Sequence, residues 1–197
     1  MVRGTTLCSL QLMAVRAHIG LMRQLDMRGT ANANLTRHEE ARCEVAASPT
    51  NVFEHIDQPQ RLSAHMSRKS WRLAGMSMSI ETDAKGGRAI GSHMWLHGAM
   101  PGVSLAVECV VVGRRAPKFK EWETVGTPRL LVIGPYRMAV RIDPHNARST
   151  VTIAIDYAMP TEGWQRLLAH ALGRIYARWC VRQMARDLVI RFDGHIA

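Results

Sequence analysis

Two histidines four residues apart, His93 and His97, are the first residues in this sequence whose types and spacing suggest chemistry. On a helix, this spacing places two imidazoles on one face, where they can bind one metal ion. The residues around them alternate in polarity and are bounded by glycines, which is typical of a strand. Residues four apart in a strand are about 13 Å from each other, too far to share an ion. We therefore expect no metal here, and the sequence indicates no cofactor elsewhere.

The glycine-rich stretch at residues 86–92 invites comparison with a phosphate-binding loop. It lacks the Gly-Lys-Ser/Thr ending of such loops, and no helix pattern follows it. The residues before it, Asp83-Ala84-Lys85, have the composition of a tight turn. The stretch is therefore predicted to belong to a β-hairpin.

Three residues are candidates for acid–base catalysis: Tyr136, Tyr157 and Glu108. Strand residues alternate between two faces, so the parity of apolar neighbours predicts which side chains face a core. By this rule both tyrosines point inward among aliphatic and methionine side chains, and Glu108 points outward. The inward residues then include no obvious nucleophile, general base or metal ligand. The orientation of the strand that contains Trp122 stays open.

Near the end of the chain, basic residues recur at every fourth position: Arg166, His170, Arg174, Arg178, Arg182 and Arg186. Each step of four residues turns the side chain by about 40° around a helix, so the set winds around the helix instead of lining one groove. We interpret it as a solvated outer face, on which some arginines pair with acids such as Asp187. The alternative is a basic surface that contacts anionic lipid headgroups.

The composition is that of one globular domain, with 197 residues, 47% of them hydrophobic, and a net charge of +10. No run approaches the eighteen or so apolar residues that cross a membrane. We expect no nucleic-acid partner, because aromatic residues do not accompany the basic ones as in a platform for single strands. Four scattered cysteines resemble free thiols of a reducing compartment, which predicts a cytoplasmic protein; they are Cys8, Cys43, Cys109 and Cys180.

Residues 1–37 differ from the rest of the chain. Leu7 to Met27 is apolar with interleaved arginines and a single acid. Arg16 and His18 interrupt the apolar core that a secretory signal needs. An organelle-targeting peptide, an accessory helix and translation from a later methionine all stay open. We predict an N-terminal extension, helical or poorly ordered, followed by a single domain over residues 38–197.

The rest of the chain separates into a strand, two short helices, six strands and one long helix. Ser48-Pro49 has the residues of a helix start, an N-cap serine followed by proline, and Thr161 is a second N-cap candidate. A helix over residues 162–192 is about 45 Å long, enough to cross a whole sheet. The predicted strands are 40–46, 71–82, 88–97, 103–112, 118–125, 130–142 (with a bulge or kink near Gly134-Pro135) and 149–157, and the predicted short helices are 51–56 and 60–66.

Several short segments carry a resemblance to a known family: residues 47–53, where the first strand enters the first helix, Asp57-Gln58-Pro59, Gly91-Ser92, Glu108 and residues 121–123. With the order of elements, they make the chain similar to the START-like superfamily, also called SRPBCC, and locally to its bacterial polyketide cyclase/dehydrase-like branch. The resemblance covers about residues 38–193. It implies an α+β helix-grip fold, in which a curved antiparallel sheet of about seven strands wraps a long C-terminal helix.

The resemblance also implies a hydrophobic tunnel between the helix and the concave sheet face. We predict that the domain binds, transports or sequesters a hydrophobic small molecule such as a lipid, a polyketide or an aromatic compound. One alternative is a cyclase/dehydrase-type enzyme that uses cavity tyrosines or a carboxylate, and another is a basic surface module for anionic membranes or nucleic acid. The oligomeric state stays open. The predicted ligand-binding residues are Met76, Met78, Met94, Leu96, Val107, Tyr136, Met138, Tyr157, Ile175 and Trp179.

Overall fold

A computed structural model of the chain describes residues 34–62, 77–100, 103–160 and 163–194. The end of the second predicted short helix, the start of the next strand with Met76, and the N-cap candidate Thr161 lie outside the described residues. So does nearly all of the N-terminal extension.

Seven antiparallel strands form one sheet in the order β1-β7-β6-β5-β4-β3-β2. Strands that follow one another from β2 to β7 are neighbours, and the first strand returns to pair with the last. This α+β architecture of a seven-stranded sheet, two short helices after the first strand and a C-terminal helix confirms the predicted fold class. The strands are β1 (Arg37–Val45), β2 (Ser77–Thr82), β3 (His93–Met100), β4 (Val103–Arg115), β5 (Phe119–Arg129), β6 (Tyr136–His145) and β7 (Arg148–Tyr157).

The alternation of apolar and polar residues gives the sheet its two faces. In β7, Val151, Ile153 and Ile155 are buried, and in β6 the buried residues include Val140 and Ile142. Since alternate side chains leave a strand on opposite sides, all of these face the concave side, where the core lies. Apolar burial of this kind contributes about 25 cal/mol for each Å² removed from water, so it fixes the register of the strands.

The first helix, α1 (Pro49–Ile56), begins as predicted. Ser48 is its N-cap: the Ser48 hydroxyl accepts a hydrogen bond of 3.4 Å from the Asn51 amide, and proline occupies the first helical position. A second, very short helix, α2 (Pro59–Leu62), follows directly. Helices of this length are unstable alone, and α1 is held by burying Val52, Phe53 and Ile56.

The predicted long C-terminal helix is confirmed, but a π-helical segment interrupts its α-helical geometry. It consists of α3 (Gly163–Leu168), a π-helical segment (Ala169–Gly173) and α4 (Arg174–Asp193). Gly173 is buried in this segment, and a Cβ atom added to it would lie 2.7 Å from the Val132 carbonyl oxygen. The π segment therefore brings a residue without a side chain against the loop after β5. Hydrophobic periodicity alone does not distinguish a short π segment from α-helix, so the sequence pattern does not predict it.

Residues 130–135 are a loop between two strands, whereas one kinked strand was predicted over 130–142. Gly134 and Pro135 turn toward the end of β7: the Gly134 amide donates to the Ala158 carbonyl and the Ala158 amide to the Pro135 carbonyl, both at 2.8 Å. These hydrogen bonds place the loop next to the C-terminal helix.

Strand β4 bends because its register with β5 shifts twice, between Ala106 and Glu108 and between Val111 and Gly113. Such bulges increase twist and bend a strand. At Gly113 an added Cβ atom would lie 2.8 Å from the Phe119 ring, so only glycine fits there without rearrangement. The bends curve the sheet around the core.

Candidate functional site

The predicted ligand-binding residues separate into three groups. Seven are buried in the core between the sheet and the C-terminal helix: Met78, Met94, Leu96, Val107, Tyr136, Met138 and Tyr157. Two lie on α4 away from that core, as described below: Ile175 and Trp179. Met76 lies outside the described residues.

An apolar cavity lies between β2, β3 and β5 on one side and the helices on the other. About 50 Å³ of it is open to the centres of water molecules. Since one water needs about 10–15 Å³ by this measure, the space holds a few waters. Of the predicted residues, Met94 and Leu96 line it. Among the described residues, the lining consists of Ile56, Pro59, Ile80, Met94, Leu96, Lys120, Trp122 and Met184.

The loop between β2 and β3 approaches Pro59 and Met94 of the lining at Gly87 and is organised by Asp83. The Asp83 carboxylate accepts hydrogen bonds from the amides of Lys85, Gly87 and His93 and from the Ser92 hydroxyl, at 2.6–3.4 Å. The hydrogen bond from the Ser92 hydroxyl lowers the Asp83 pKa most, and the hydrogen bonds from the backbone amides lower it further. The turn prediction for residues 83–87 is confirmed, but β3 begins at His93 instead of residue 88.

Among the described residues that line the cavity, Lys120 is the charged one, and its side chain is only 2% exposed. The ammonium group donates three hydrogen bonds, to Asp57 Oδ1 (2.9 Å), the Asp57 carbonyl (3.1 Å) and the Gly87 carbonyl (2.9 Å). An ammonium has three protons to donate, so Lys120 has none left for a ligand. Burial lowers the Lys120 pKa, and the attraction of Asp57 opposes this without cancelling it.

Asp57, at the C-terminal end of α1, pairs with a second cation. Arg114 on β4 donates to both carboxylate oxygens of Asp57, through Nε at 3.3 Å and Nη2 at 2.8 Å. Burial alone would raise the Asp57 pKa, but the hydrogen bonds from Arg114 and Lys120 outweigh it and leave the pKa lowered. The carboxylate therefore stays charged and ties α1 to two strands.

Sequence reasoning missed this cluster of Asp57, Arg114 and Lys120. The usable signal was the parity of β5, in which Lys120, Trp122 and Thr124 alternate with Phe119, Glu121 and Glu123. Trp122 and Thr124 are buried, and Lys120 shares their face. If Trp122 faces inward, Lys120 faces inward too, because both are on the same side of β5. A buried ammonium group then needs a hydrogen-bond acceptor, because a buried charge without a partner is costly. Its acceptors come from distant residues, which no local pattern identifies.

Tyr136, one of the two predicted polar points, is a buried neutral donor or acceptor. Its hydroxyl and the Cys109 thiol share a hydrogen bond of 3.3 Å. Burial raises the pKa of Cys109 to about 12 and that of Tyr136 well above its usual value. On the facing helix Cys180 has a pKa raised to about 12 by burial. These groups are neutral at pH 7, so they are not activated nucleophiles, and none of them is among the described residues that line the apolar cavity.

Tyr157 is buried at the edge where β7 meets β1. Burial raises its pKa first, and the nearby charge of Glu39 adds to this. Glu39 itself pairs with Arg174 of α4, with 2.7 Å between Arg174 Nε and Glu39 Oε1. The second predicted polar point thus lies near a surface ion pair, outside the lining of the apolar cavity.

Glu108 faces away from the core, as predicted. Its carboxylate lies 2.8 Å from Nδ1 of His93 on the outer side of the sheet, where the His93 ring stacks on Trp95. Within the described ranges, no three side chains of histidine, cysteine, aspartate or glutamate come together as metal ligands.

Ile175 and Trp179 do not line the cavity, contrary to the position predicted for them. Ile175 is 65% exposed, and both side chains border a surface groove on α4 together with arginines. The inward face of α4 is instead formed by Ala177, Val181 and Met184. Leu167 and Leu172, which precede Ile175 in the same sequence pattern, are also exposed, at 76% and 43%, so this side of the C-terminal helix faces outward.

Searches with the sequence alone find no matching family model and no match among characterised proteins. Solved structures do match. Protein TTHA0849 from Thermus thermophilus has a TM-score of 0.58 at 12% identity, covering 82% of this chain and 100% of that one. A norcoclaurine synthase from Thalictrum flavum also has a TM-score of 0.58, at 11% identity, covering 82% and 96%. Protein CV1439 from Chromobacterium violaceum has a TM-score of 0.53 at 14% identity, covering 79% and 97%.

This chain has the helix-grip fold. At these identities the likeness concerns the fold, and the chemistry has to be argued from this chain's own residues. In the helix-grip arrangement, the cavity lies where the concave sheet, the two short helices and α4 meet. No helix of the described ranges is long and apolar enough to cross a membrane.

Proposed function

We propose that this protein binds a hydrophobic small molecule in the cavity between the concave sheet face and α4. The observation that carries the proposal is the lining, whose described residues are apolar except for Lys120. Lys120 donates all three ammonium protons to Asp57 and Gly87. The cavity wall therefore contacts a ligand through its shape and its apolar side chains. Sites for apolar ligands have this character.

The cavity must widen to accept such a ligand. Pockets for drug-sized molecules have volumes of about 300–1,000 Å³, well above the space described here. Met94 and Met184 line the cavity, and Met78 is buried in the same core. Methionine has three rotatable bonds and a polarisable sulfur, so it repacks at low cost around ligands of different shape. We infer that these side chains move aside when a ligand enters.

Native mass spectrometry of the full chain as purified tests the proposal. We expect a peak heavier than the chain, with the extra mass released as a small apolar molecule on denaturation. If the protein is purified without a bound ligand, a second measurement is needed. Titration with the fluorescent fatty acid cis-parinaric acid should then give saturable binding at one site. A chain that carries no extra mass and does not bind this probe would contradict the proposal.

A cyclase/dehydrase-type enzyme is the second candidate, and Lys120 is the observation that favours it. A cavity residue with a lowered pKa is a frequent property of catalytic groups. The enzyme hypothesis predicts that the molecule released from the protein, when added back, is converted by the wild-type chain and not by the Lys120→Met variant. If neither chain converts it while both bind it, the binding function stands and the enzyme is ruled out for that molecule.

The cytoplasm is our proposed location. The cysteines at positions 43, 109 and 180 are free thiols, as in proteins of reducing compartments. Cell fractionation followed by thiol labelling tests this, and a membrane-bound or secreted, disulfide-linked protein would contradict it.

A further inference from the structure

The outer side of α4 has a stripe of five residues that the cavity does not use. Ile175, Trp179, Arg182, Arg186 and Ile190 follow one another at intervals of four, three, four and four residues. At 100° a residue they lie within about 80° of arc, and the stripe is about 22 Å long. We call these five residues the outer stripe.

Two of the apolar residues in the outer stripe are strongly exposed. Ile175 is 65% and Ile190 61% exposed. Between them, Trp179 is half-buried and borders a groove of about 650 Å³ with the arginines of the same helix. Leu167 and Leu172, on the preceding turns, are also exposed, so Ile175 belongs to a larger apolar area, and such areas with a polar rim mark interaction surfaces.

The charged side chains next to the exposed isoleucines are mainly arginines. Among the described residues, no carboxylate lies within salt-bridge distance of Arg178, Arg182 or Arg186, whereas Arg174, one turn before Arg178, pairs with Glu39. The carboxylate next to Arg186, Asp187, accepts a hydrogen bond of 3.1 Å from Gln183. The guanidinium groups of Arg178, Arg182 and Arg186 therefore lie on the same helix between the exposed isoleucines. The chain as a whole has a net charge of +10.

We propose that the outer stripe docks on the surface of an anionic lipid bilayer. Helices that lie in a membrane interface combine apolar side chains, which enter the acyl boundary, with basic ones that meet lipid phosphates. Arginine suits this place because its aliphatic stem can lie along apolar surface while the guanidinium reaches the headgroups. The rigid helix presents both kinds of side chain on one face before binding.

Other partners for the outer stripe are less compatible with its arginines and isoleucines. A second copy packed on the same face would set arginine against arginine. Residues 1–33 contain four arginines and one acid, so this segment is repelled as well. Nucleic acid would satisfy the arginines, but it would leave Ile175 and Ile190 without an apolar environment. A bilayer with anionic lipid satisfies both.

Co-sedimentation of the full chain with vesicles tests the proposal. One set of vesicles is pure phosphatidylcholine, and the other mixes seven parts phosphatidylcholine with three parts phosphatidylglycerol. We expect binding to the anionic vesicles that weakens as salt is raised, since each basic residue near such a surface adds attraction that salt screens. The double variant Arg182→Glu/Arg186→Glu should lose at least tenfold in partitioning, and Ile175→Ser/Ile190→Ser should lose several-fold.

The matched control is Arg115→Glu/Arg141→Glu, which changes the net charge equally at the far end of the β4–β5 hairpin. We expect it to keep most of the binding, and circular dichroism checks that all variants are folded. Equal losses in control and stripe variants would overturn the proposal, because net charge alone would then explain binding. Equal binding to both kinds of vesicle would overturn it too. Binding that ignores the isoleucines, with equally arginine-dependent binding to duplex DNA, would assign the face to a polyanion and not to a membrane.

Discussion

Lys120 Nζ donates a hydrogen bond of 2.9 Å to Asp57 Oδ1, and this contact joins the middle of the sheet to the turn between the two short helices. Arg114 holds the same carboxylate from β4. The α1–α2 turn, which also contributes Pro59 to the cavity lining, is thus fixed by charge as well as by packing. Polar residues that are fully paired in a core add rigidity at the place where they are buried.

Asp57→Asn should destabilise the protein by about 3 kcal/mol, since removing one partner leaves the other buried charge uncompensated. Urea unfolding followed by circular dichroism measures this loss. Asp143→Asn is the control, because Asp143 is exposed on β6, and we expect a change of less than about 0.5 kcal/mol. A small effect at Asp57 would show that Arg114 and Lys120 are satisfied by water or by other groups.

The stability of the wild-type protein should fall with acid in a way that depends on Asp57. The pKa of this carboxyl is lowered in the folded state. Its contribution is therefore complete above the ordinary aspartate pKa of about 3.9 and is lost as the pH falls toward the folded-state pKa. The difference in unfolding free energy between wild type and Asp57→Asn should shrink as the pH is lowered below about 4. A constant difference would contradict the ion-pair argument.

Gly87→Ala should destabilise the protein more than Gly91→Ala does. Both glycines have positive φ, +69 at Gly87 and +76 at Gly91, so each substitution costs about 1–2 kcal/mol of backbone strain. At Gly87 the new Cβ atom would also lie 2.7 Å from Pro59 Cγ and 3.0 Å from Met94 Cγ, whereas Gly91 has nothing within 4 Å. Thermal unfolding of the two variants separates strain from the steric clash. Equal melting temperatures would mean that the loop moves away from Pro59 freely.

Gly173→Ala should be destabilising although alanine is the better helix former. Alanine gains about 1 kcal/mol over glycine in an ordinary helix. Here its Cβ atom would lie 2.7 Å from the Val132 carbonyl oxygen, a backbone atom that cannot rotate away. We expect a net loss of about 1–3 kcal/mol by chemical denaturation. The exposed Ala171→Gly, as the reciprocal exchange, should cost about 1 kcal/mol. A rise in stability for Gly173→Ala would mean that the helix does not approach this loop.

Ile80→Trp should block ligand binding and Ile90→Trp should not. Ile80 lies on β2 and lines the cavity, where it is only partly buried, so a larger ring can fill the space without breaking the core. Ile90 is 60% exposed in the loop before β3 and does not line the cavity. Titration with cis-parinaric acid should show at least tenfold weaker binding for Ile80→Trp alone. Unchanged affinity would place the ligand elsewhere.

The sequence predicts the architecture well where one face of an element is apolar. In β7, alternation of Val151, Ile153 and Ile155 with polar residues identifies both the strand and its inward face, and Ser48-Pro49 identifies the start of α1. Such patterns depend on neighbours along the chain. The order of the elements then limits the fold to a sheet closed by a C-terminal helix.

The site is less predictable because it depends on contacts between distant residues. Lys120 reaches the turn at Asp57, sixty-three positions away, and nothing local indicates this partner. Apolar residues lie on both the inner and the outer side of the C-terminal helix, so periodicity predicts an inward Ile175 although this side chain is 65% exposed. Both errors arise from geometry that hydrophobic periodicity does not record.

The position of Ile80 on β2 has a consequence for how the cavity is reached. In the described part of the sheet β2 is the last strand in the order, and it forms ladder hydrogen bonds with β3 alone. A strand held along one side opens locally at a lower free energy than one held along both. The wall that limits the cavity is thus also the element that separates from the sheet most readily. Amide hydrogen exchange of β2, compared between the free and the ligand-bound protein, would show whether the ligand enters the cavity by separation of this edge strand.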